Sequence, residues 1–142
     1  MVACKDTSPS GQIKAMQKRV DAVEHQVEVL YTHDFDYLVG EYKALDTTIA
    51  RTKDIQKEMT LLQAYLQQFE NQRIVIKKEA EFSRKQLSDL QDDVKANRYD
   101  GETTSKYIQD EEKALHQMEA QVNYFQEKFD AQKEVVKQLR KE

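Results

Sequence analysis

The chain has 142 residues, of which 39% are hydrophobic and 34% charged, and its formal net charge at pH 7 is −4. This apolar content is too low for the wide core of an enzyme of this length, and three glycines and one proline are too few for the turns of a sandwich, a barrel or a series of βα units. Acidic and basic residues are interleaved, so no charged stretch singles out nucleic acid or an anionic membrane as the partner. The composition therefore predicts an all-α protein made of long helices.

A short motif lies at the N-terminal end. The single cysteine occurs in the order Met1-Val2-Ala3-Cys4, and a polar stretch follows it to residue 11. The motif resembles the cleavage box of bacterial lipoproteins, in which an apolar residue, a small or apolar residue, and Ala or Gly precede the cysteine. The resemblance implies that Cys4 is diacylated and that residues 1–8 form a flexible tether on the periplasmic side of the cell envelope. It covers residues 1–11 only, without the basic and hydrophobic parts of such a signal.

A first helix is predicted over about residues 9–31, within a single helical coiled-coil domain that takes up residues 9–142. Ser8 can accept hydrogen bonds from the free N–H groups of the first turn, and Pro9 suits the first helical position. Apolar residues then alternate at spacings of three and four, which is typical of a helix with one partner helix. They are Ile13, Met16, Val20, Val23, Val27 and Leu30. The stripe loses its phase after Leu30, so we expect the helix to end there.

A long central helix is predicted over about residues 34–98. Neither Gly nor Pro occurs between Glu41 and Asp100, and the apolar stripe continues from Leu38 to Val94 with one irregular step at Ile49-Thr52-Ile55. The alternative is a break near Asn71, which would give a compact three- or four-helix bundle.

A third helix is predicted over about residues 103–141. It follows the turn signal Asn97-Arg98-Tyr99-Asp100-Gly101, because Asn and Gly tolerate the left-handed backbone that closes a helix. Pairing the stripes outward from both turns folds each flanking helix onto its own half of the central helix. The predicted fold is an antiparallel coiled-coil rod.

A second apolar stripe lies off the main one on the central and third helices. It consists of Leu61, Tyr65, Val75, Phe82, Tyr107, Ala114, Tyr124, Ala131 and Val135. Apolar surface of this kind favours burial, either against another molecule or inside a compact bundle, or it merely covers neighbouring side chains. The predicted oligomer or partner interface comprises Leu61, Tyr65, Val75, Phe82, Tyr124 and Val135.

The sequence shows little catalytic chemistry. It has no Gly-x-Ser-x-Gly, Gly-rich phosphate loop, His-Glu-x-x-His or Glu-x-x-His motif. Glu112, His116 and Glu119 share one helix face and could bind a metal weakly, but a solvated helix surface explains them better. We therefore predict no catalytic residues, no metal, no cofactor and no small-molecule substrate.

These patterns together predict a non-enzymatic, membrane-tethered periplasmic lipoprotein that acts as a spacer, scaffold or interaction arm. Its expected partners are another protein or a second copy of itself, and the membrane through acylated Cys4. The alternative is a cytosolic, oligomeric coiled-coil adaptor or chaperone-like binding protein with an unmodified cysteine.

Overall fold

The fold is all-helical, as predicted. A computed structural model of the chain describes residues 6–48 and 52–141, and no strand occurs among them. The elements are α1 (Pro9–Val29), a π-helical segment (Leu30–Phe35), α2 (Asp36–Thr48), α3 (Lys53–Lys95) and α4 (Gly101–Arg140). The prediction of a long central helix, here α3, with other helices folded back on it is confirmed.

Helix α1 begins where the sequence indicates. The Ser8 hydroxyl accepts a hydrogen bond from the Gly11 amide at 3.1 Å, and the Ser8 carbonyl accepts one from Gln12 at 2.8 Å. These contacts satisfy amides that have no partner within the helix, so Ser8 is the N-cap. The predicted start at Pro9 is confirmed.

The predicted end of the first helix at residue 31 is wrong. Val29 and Asp36, which flank the π segment, both have right-handed helical backbone, so the chain passes from α1 into α2 without a turn. Leu30 and Phe35 are both buried although five positions separate them, instead of the usual three or four. A π turn accommodates one extra residue, and this restores the phase of the stripe so that Leu38 is buried in α2.

The central helix begins at Lys53 instead of residue 34. The Thr52 hydroxyl accepts a hydrogen bond from the Ile55 amide at 3.3 Å and caps α3. On the preceding side, the Thr48 hydroxyl donates to the Ala44 carbonyl at 2.7 Å near the end of α2. Neither Gly nor Pro lies between α2 and α3, so the only sequence signal of this boundary is the irregular step Ile49-Thr52-Ile55 in the apolar stripe. Ile49 itself lies outside the described residues.

Helix α3 runs without interruption through the alternative break near Asn71 and ends at Lys95. Asn97 has a φ of 50°, and the Arg98 amide donates to the Asp93 carbonyl at 3.0 Å, which is the geometry of a Schellman ending. The Asp100 carboxylate then accepts from the Thr103 amide at 2.7 Å. Asp100 therefore caps α4, which begins two residues earlier than predicted.

The chain divides into two compact units, and α1, α3 and α4 each contribute a segment to both. Unit 1 contains the described residues up to Glu24 together with Ile76–Ala120. Its interior is lined by Ile13, Met16, Val20, Val23, Ile76, Ala80, Leu87, Leu115 and Met118. In unit 1, α1 is antiparallel to α3, since the Ser10 carbonyl accepts from Gln91 whereas Asp21 pairs with Arg84.

Unit 2 contains His25–Val75 and the described residues from Gln121 onward. Its centre is Phe69, whose ring lies edge-on against Phe125 and Phe129 with centroids 5.2 and 5.1 Å away. Phe35 of the π segment packs on the same ring at 5.6 Å. Aromatic side chains from three helical segments therefore meet in one cluster.

The flanking helices contact each other as well as α3. Arg19 of α1 binds Glu112 of α4 in unit 1, and Asp34 of the π segment binds Lys133 of α4 in unit 2. Within each unit, three helical segments pack together. In unit 1, α1 and α4 pack on the same part of α3, so the prediction that the flanking helices cover separate halves of the central helix is wrong. The ion pairs between α1 and α4 join residues too distant in sequence for local spacing to reveal.

Candidate interaction surface

Ion pairs cover the contact between α1 and α4 in unit 1. Arg19 binds the Glu112 carboxylate at 2.7 Å and the Glu119 carboxylate at 2.6 Å. The hydrogen bond from Arg19 lowers the pKa of Glu119, and the same bond raises the pKa of Arg19. One guanidinium thus joins two turns of α4, and this side of unit 1 is charged and solvated.

Ion pairs also cover the contact between α1 and α3 in unit 1. Arg84 of α3 binds Asp21 at 2.8 Å and also binds Glu24. The hydrogen bonds that Arg84 donates to both carboxylates, with the one to Asp21 the stronger influence, raise the pKa of Arg84. Two of the three helix contacts in unit 1 are therefore covered by charged groups.

The third contact in unit 1, between α3 and α4, is different. It carries an apolar groove of about 530 Å³, which we call the Phe82 groove. Its lining residues are Lys78, Glu79, Phe82, Ser83, Ala114, Gln117 and Met118. Ser83 and Met118 are buried, whereas the Phe82 side chain is 63% exposed, the largest exposed fraction of any large apolar residue in the described part of the chain. This phenylalanine has much apolar surface left in water.

The sequence predicted Phe82 as an interface residue and Ala114 as part of the same stripe, and the structure brings the two together in this groove. The remaining stripe residue of unit 1, Tyr107, lies at the turn between α3 and α4. Its ring packs edge-on against Tyr99 with centroids 5.1 Å apart. The Tyr99 hydroxyl lies 3.4 Å from an Asp93 carboxylate oxygen, and repulsion by that carboxylate is the main cause of the raised pKa of Tyr99.

In unit 2, α3 and α4 carry the other predicted interface residues. Lys128 of α4 lies over the rings of Tyr65 and Tyr124, with its amine 5.7 and 5.5 Å from the two centroids. Leu61 is one helical turn before Tyr65 and is 42% exposed. Val135 lies two turns after Lys128 and is half-buried. The structure therefore brings Tyr65 and Tyr124 together around one lysine.

Val75 also lies on α3 in unit 2 and is exposed. Gln72, three positions before Val75, accepts a hydrogen bond from Gln121 of α4 at 3.3 Å. This places Val75 beside the contact between α3 and α4.

In unit 2, polar and charged side chains of α3 and α4 contact the π segment. Asp34, whose side chain is only 15% exposed, binds Lys133 of α4 at 2.6 Å and also accepts a hydrogen bond from Gln126. Arg73 of α3 stacks on Tyr31, with its guanidinium carbon 3.8 Å from the ring centroid. The sequence did not reveal these contacts, because Arg73 lies at a position of the apolar stripe and Lys133 is distant along the chain.

On the α4 face that carries Glu112, His116 and Glu119, the two carboxylates form ion pairs with Arg19. His116 is exposed. Among the residues that the structure describes, no group of three or more His, Cys, Asp or Glu side chains could hold a metal ion.

The predicted lipidation site, Cys4, lies outside the described residues. Within residues 6–48 and 52–141, no helix has the length and apolar character needed to cross a membrane. Comparison with models of protein families, with curated proteins and with solved structures finds no match to this chain.

Proposed function

We propose that this protein is a non-enzymatic interaction protein that binds another protein chain through the Phe82 groove. The observation that carries the proposal is the contrast among the three helix contacts of unit 1. Two are covered by ion pairs of Arg19 and Arg84, and the third leaves Phe82 in solvent above an apolar groove. An apolar groove with a polar rim is the usual character of a protein-binding site.

The groove has the features of a site for a helix. Phe82 provides an aromatic anchor, and Lys78 and Glu79 at the edge provide charges of both signs. Aromatic anchors contribute a large share of the affinity in many interfaces, while charged edges set orientation. A helical segment with apolar residues at spacings of three and four fits such a groove.

We further propose that acylated Cys4 holds the protein at the periplasmic face of a bacterial membrane, where it acts as a spacer, scaffold or interaction arm. This part of the proposal rests on the motif Met1-Val2-Ala3-Cys4. The polar residues that follow, up to the start of α1 at Pro9, would separate the helices from the lipid.

Site-specific photocrosslinking in the native cell tests binding through the groove. A photoreactive residue replaces Phe82 in one variant and Lys18, an exposed residue of α1, in the matched control. We expect covalent protein adducts from position 82 and few from position 18. Equal yields at both positions, or no adduct at position 82, would contradict the proposal.

Metabolic labelling with a clickable fatty acid tests the tether. The protein is expressed from its native gene, and a Cys4→Ser variant is the control. The proposal predicts label in the parent protein and none in the variant. An unlabelled parent protein found in the cytosol would favour the alternative of a cytosolic adaptor.

A further inference from the structure

We propose that the chain occupying the Phe82 groove is a second copy of this protein, bound about a two-fold axis that passes beside Phe82. The two α3 helices are antiparallel in this arrangement. The inference rests on the proposed function, because it names the partner of the same groove.

The groove is complementary to itself in shape. A two-fold interface uses the same surface on both copies, so this surface must carry both a projection and a space that receives it. Phe82 projects from α3, and the small side chain of Ala114 on α4 leaves room beside it in the same groove. Each copy can therefore place its phenylalanine against the other copy's alanine.

The charges on α3 are complementary to themselves as well. Glu79 lies three positions before Phe82, and Lys85 lies three positions after it. When two α3 helices cross antiparallel at Phe82, Glu79 of each copy faces Lys85 of the other. Lys78 and Gln86 lie four positions before and after Phe82, so Lys78 of each copy faces Gln86 of the other. No like charges meet at these positions.

The parallel arrangement is disfavoured by the same residues. Parallel α3 helices related by a two-fold axis would place Glu79 against Glu79 and Lys85 against Lys85. Like charges facing each other across an interface are costly, whereas opposite charges fix the orientation of the two partners. A distribution of opposite charges that is symmetric about one exposed phenylalanine suits a two-fold homodimer, whereas a groove for an unrelated partner gains nothing from that symmetry.

Sedimentation equilibrium of the full chain tests the dimer through charge reversal. Glu79→Lys and Lys85→Glu each place like charges in contact twice, and we expect each to weaken the dimer by about tenfold or more. The double variant Glu79→Lys/Lys85→Glu restores opposite charges, and we expect its dimer affinity to return close to that of the parent. Circular dichroism of each variant verifies that the helices are intact.

Phe82→Asp tests the shape complementarity, with Val29→Asp as the matched control on α1, since both parent side chains are exposed. We expect the first change to give a monomer and the second to leave the dimer unchanged. A dimer that resists both Phe82→Asp and the single charge reversals would assemble through another face and would overturn the inference.

The inference and the proposed function can fail separately. If the purified chain is monomeric at high concentration and position 82 crosslinks to a different protein in cells, the homodimer is overturned and the proposed function stands. If position 82 crosslinks to nothing in cells and the purified chain is monomeric, both are overturned. Crosslinking of position 82 to a second copy, together with rescue by the double charge reversal, supports both.

Discussion

Arg19 of α1 and Glu119 of α4 form a hydrogen-bonded ion pair at 2.6 Å, although one hundred residues separate them. The same guanidinium binds Glu112, two turns before Glu119 on α4. This contact joins two helices that the sequence pattern assigned to separate halves of the central helix. Arg19 also binds both carboxylates that flank His116. The acidic residues around this histidine therefore pair with an arginine that is distant in sequence.

Replacing this arginine should make stability depend on pH in a defined way. Arg19 lowers the pKa of Glu119 below its usual 4.5, so the contribution of the pair is present above the unfolded-state pKa and is lost as pH falls through the folded-state pKa. We expect Arg19→Gln to reduce the free energy of unfolding by about 1 kcal/mol at neutral pH, because the pair is partly exposed.

Urea unfolding of the parent and Arg19→Gln at neutral pH and well below pH 4.5 measures this effect. Lys18→Gln on the same helix controls for the loss of one positive charge. A stability difference that stays constant down to low pH would contradict the role of the pair.

The aromatic centre of unit 2 should be the most sensitive site in the core. Phe69 has no exposed surface and contacts the rings of Phe35, Phe125 and Phe129. We expect Phe69→Ala to lower the free energy of unfolding by about 3–5 kcal/mol, since it leaves a cavity among aromatic rings. Tyr37→Ala, at an exposed aromatic of α2, should change it by less than about 1 kcal/mol. Comparable losses in urea titrations of the two variants would argue against this core.

The π segment leads to a prediction about deletion. Removal of Thr32, an exposed residue, would place Leu30 and Phe35 four positions apart, which an ordinary α-helix accommodates. We expect this variant to fold cooperatively with a loss of no more than about 2 kcal/mol. Removal of the exposed Glu70 from α3 should instead unfold the protein or cost far more, because every later residue of the stripe leaves the core.

Thermal unfolding followed by circular dichroism distinguishes these two deletions. If deletion of Thr32 is as damaging as deletion of Glu70, the π segment does more than accommodate one extra residue. In that case its contacts through Asp34 and Lys133 would be the first to examine.

The success and failure of the sequence pattern have the same physical origin. The stripe of spacing three and four reports burial, so it correctly predicted that Ile13, Leu62 and Leu115 lie in the core. The sequence shows where one helix ends and the next begins only where turn-forming residues such as Asn and Gly occur. The turn at Asn97 carries Asn and Gly and was predicted, whereas the change of helix before Lys53 carries neither and was missed.

The candidate site was only partly predictable for a related reason. An exposed apolar residue at helical spacing is visible in sequence, so Phe82, Leu61 and Tyr124 were identified. The ion pairs that distinguish the other helix contacts join residues such as Arg84 and Asp21, and they depend on which helices are neighbours. Sequence spacing alone could not show that two contacts are charged and one apolar.

The cap of α3 provides a local test of the corrected boundary. The Thr52 hydroxyl accepts from the Ile55 amide, so Thr52→Ala should lower the free energy of unfolding by about 1 kcal/mol. Thr60→Ala, within the same helix, should be neutral or slightly stabilising because Ala has the higher helix propensity. Equal effects of the two changes in urea unfolding would indicate that α3 continues through Thr52 instead of beginning after it.

If the Phe82 groove binds a protein chain, the groove is covered when the protein is inside the cell. Hydroxyl-radical footprinting measures this coverage most directly, by comparing oxidation of Phe82 in living cells with that in dilute purified protein. Tyr37, an exposed aromatic of α2, is the internal reference. We expect oxidation of Phe82 to fall several-fold in cells relative to oxidation of Tyr37. An unchanged ratio would mean that the groove stays open to solvent and that no protein chain binds there.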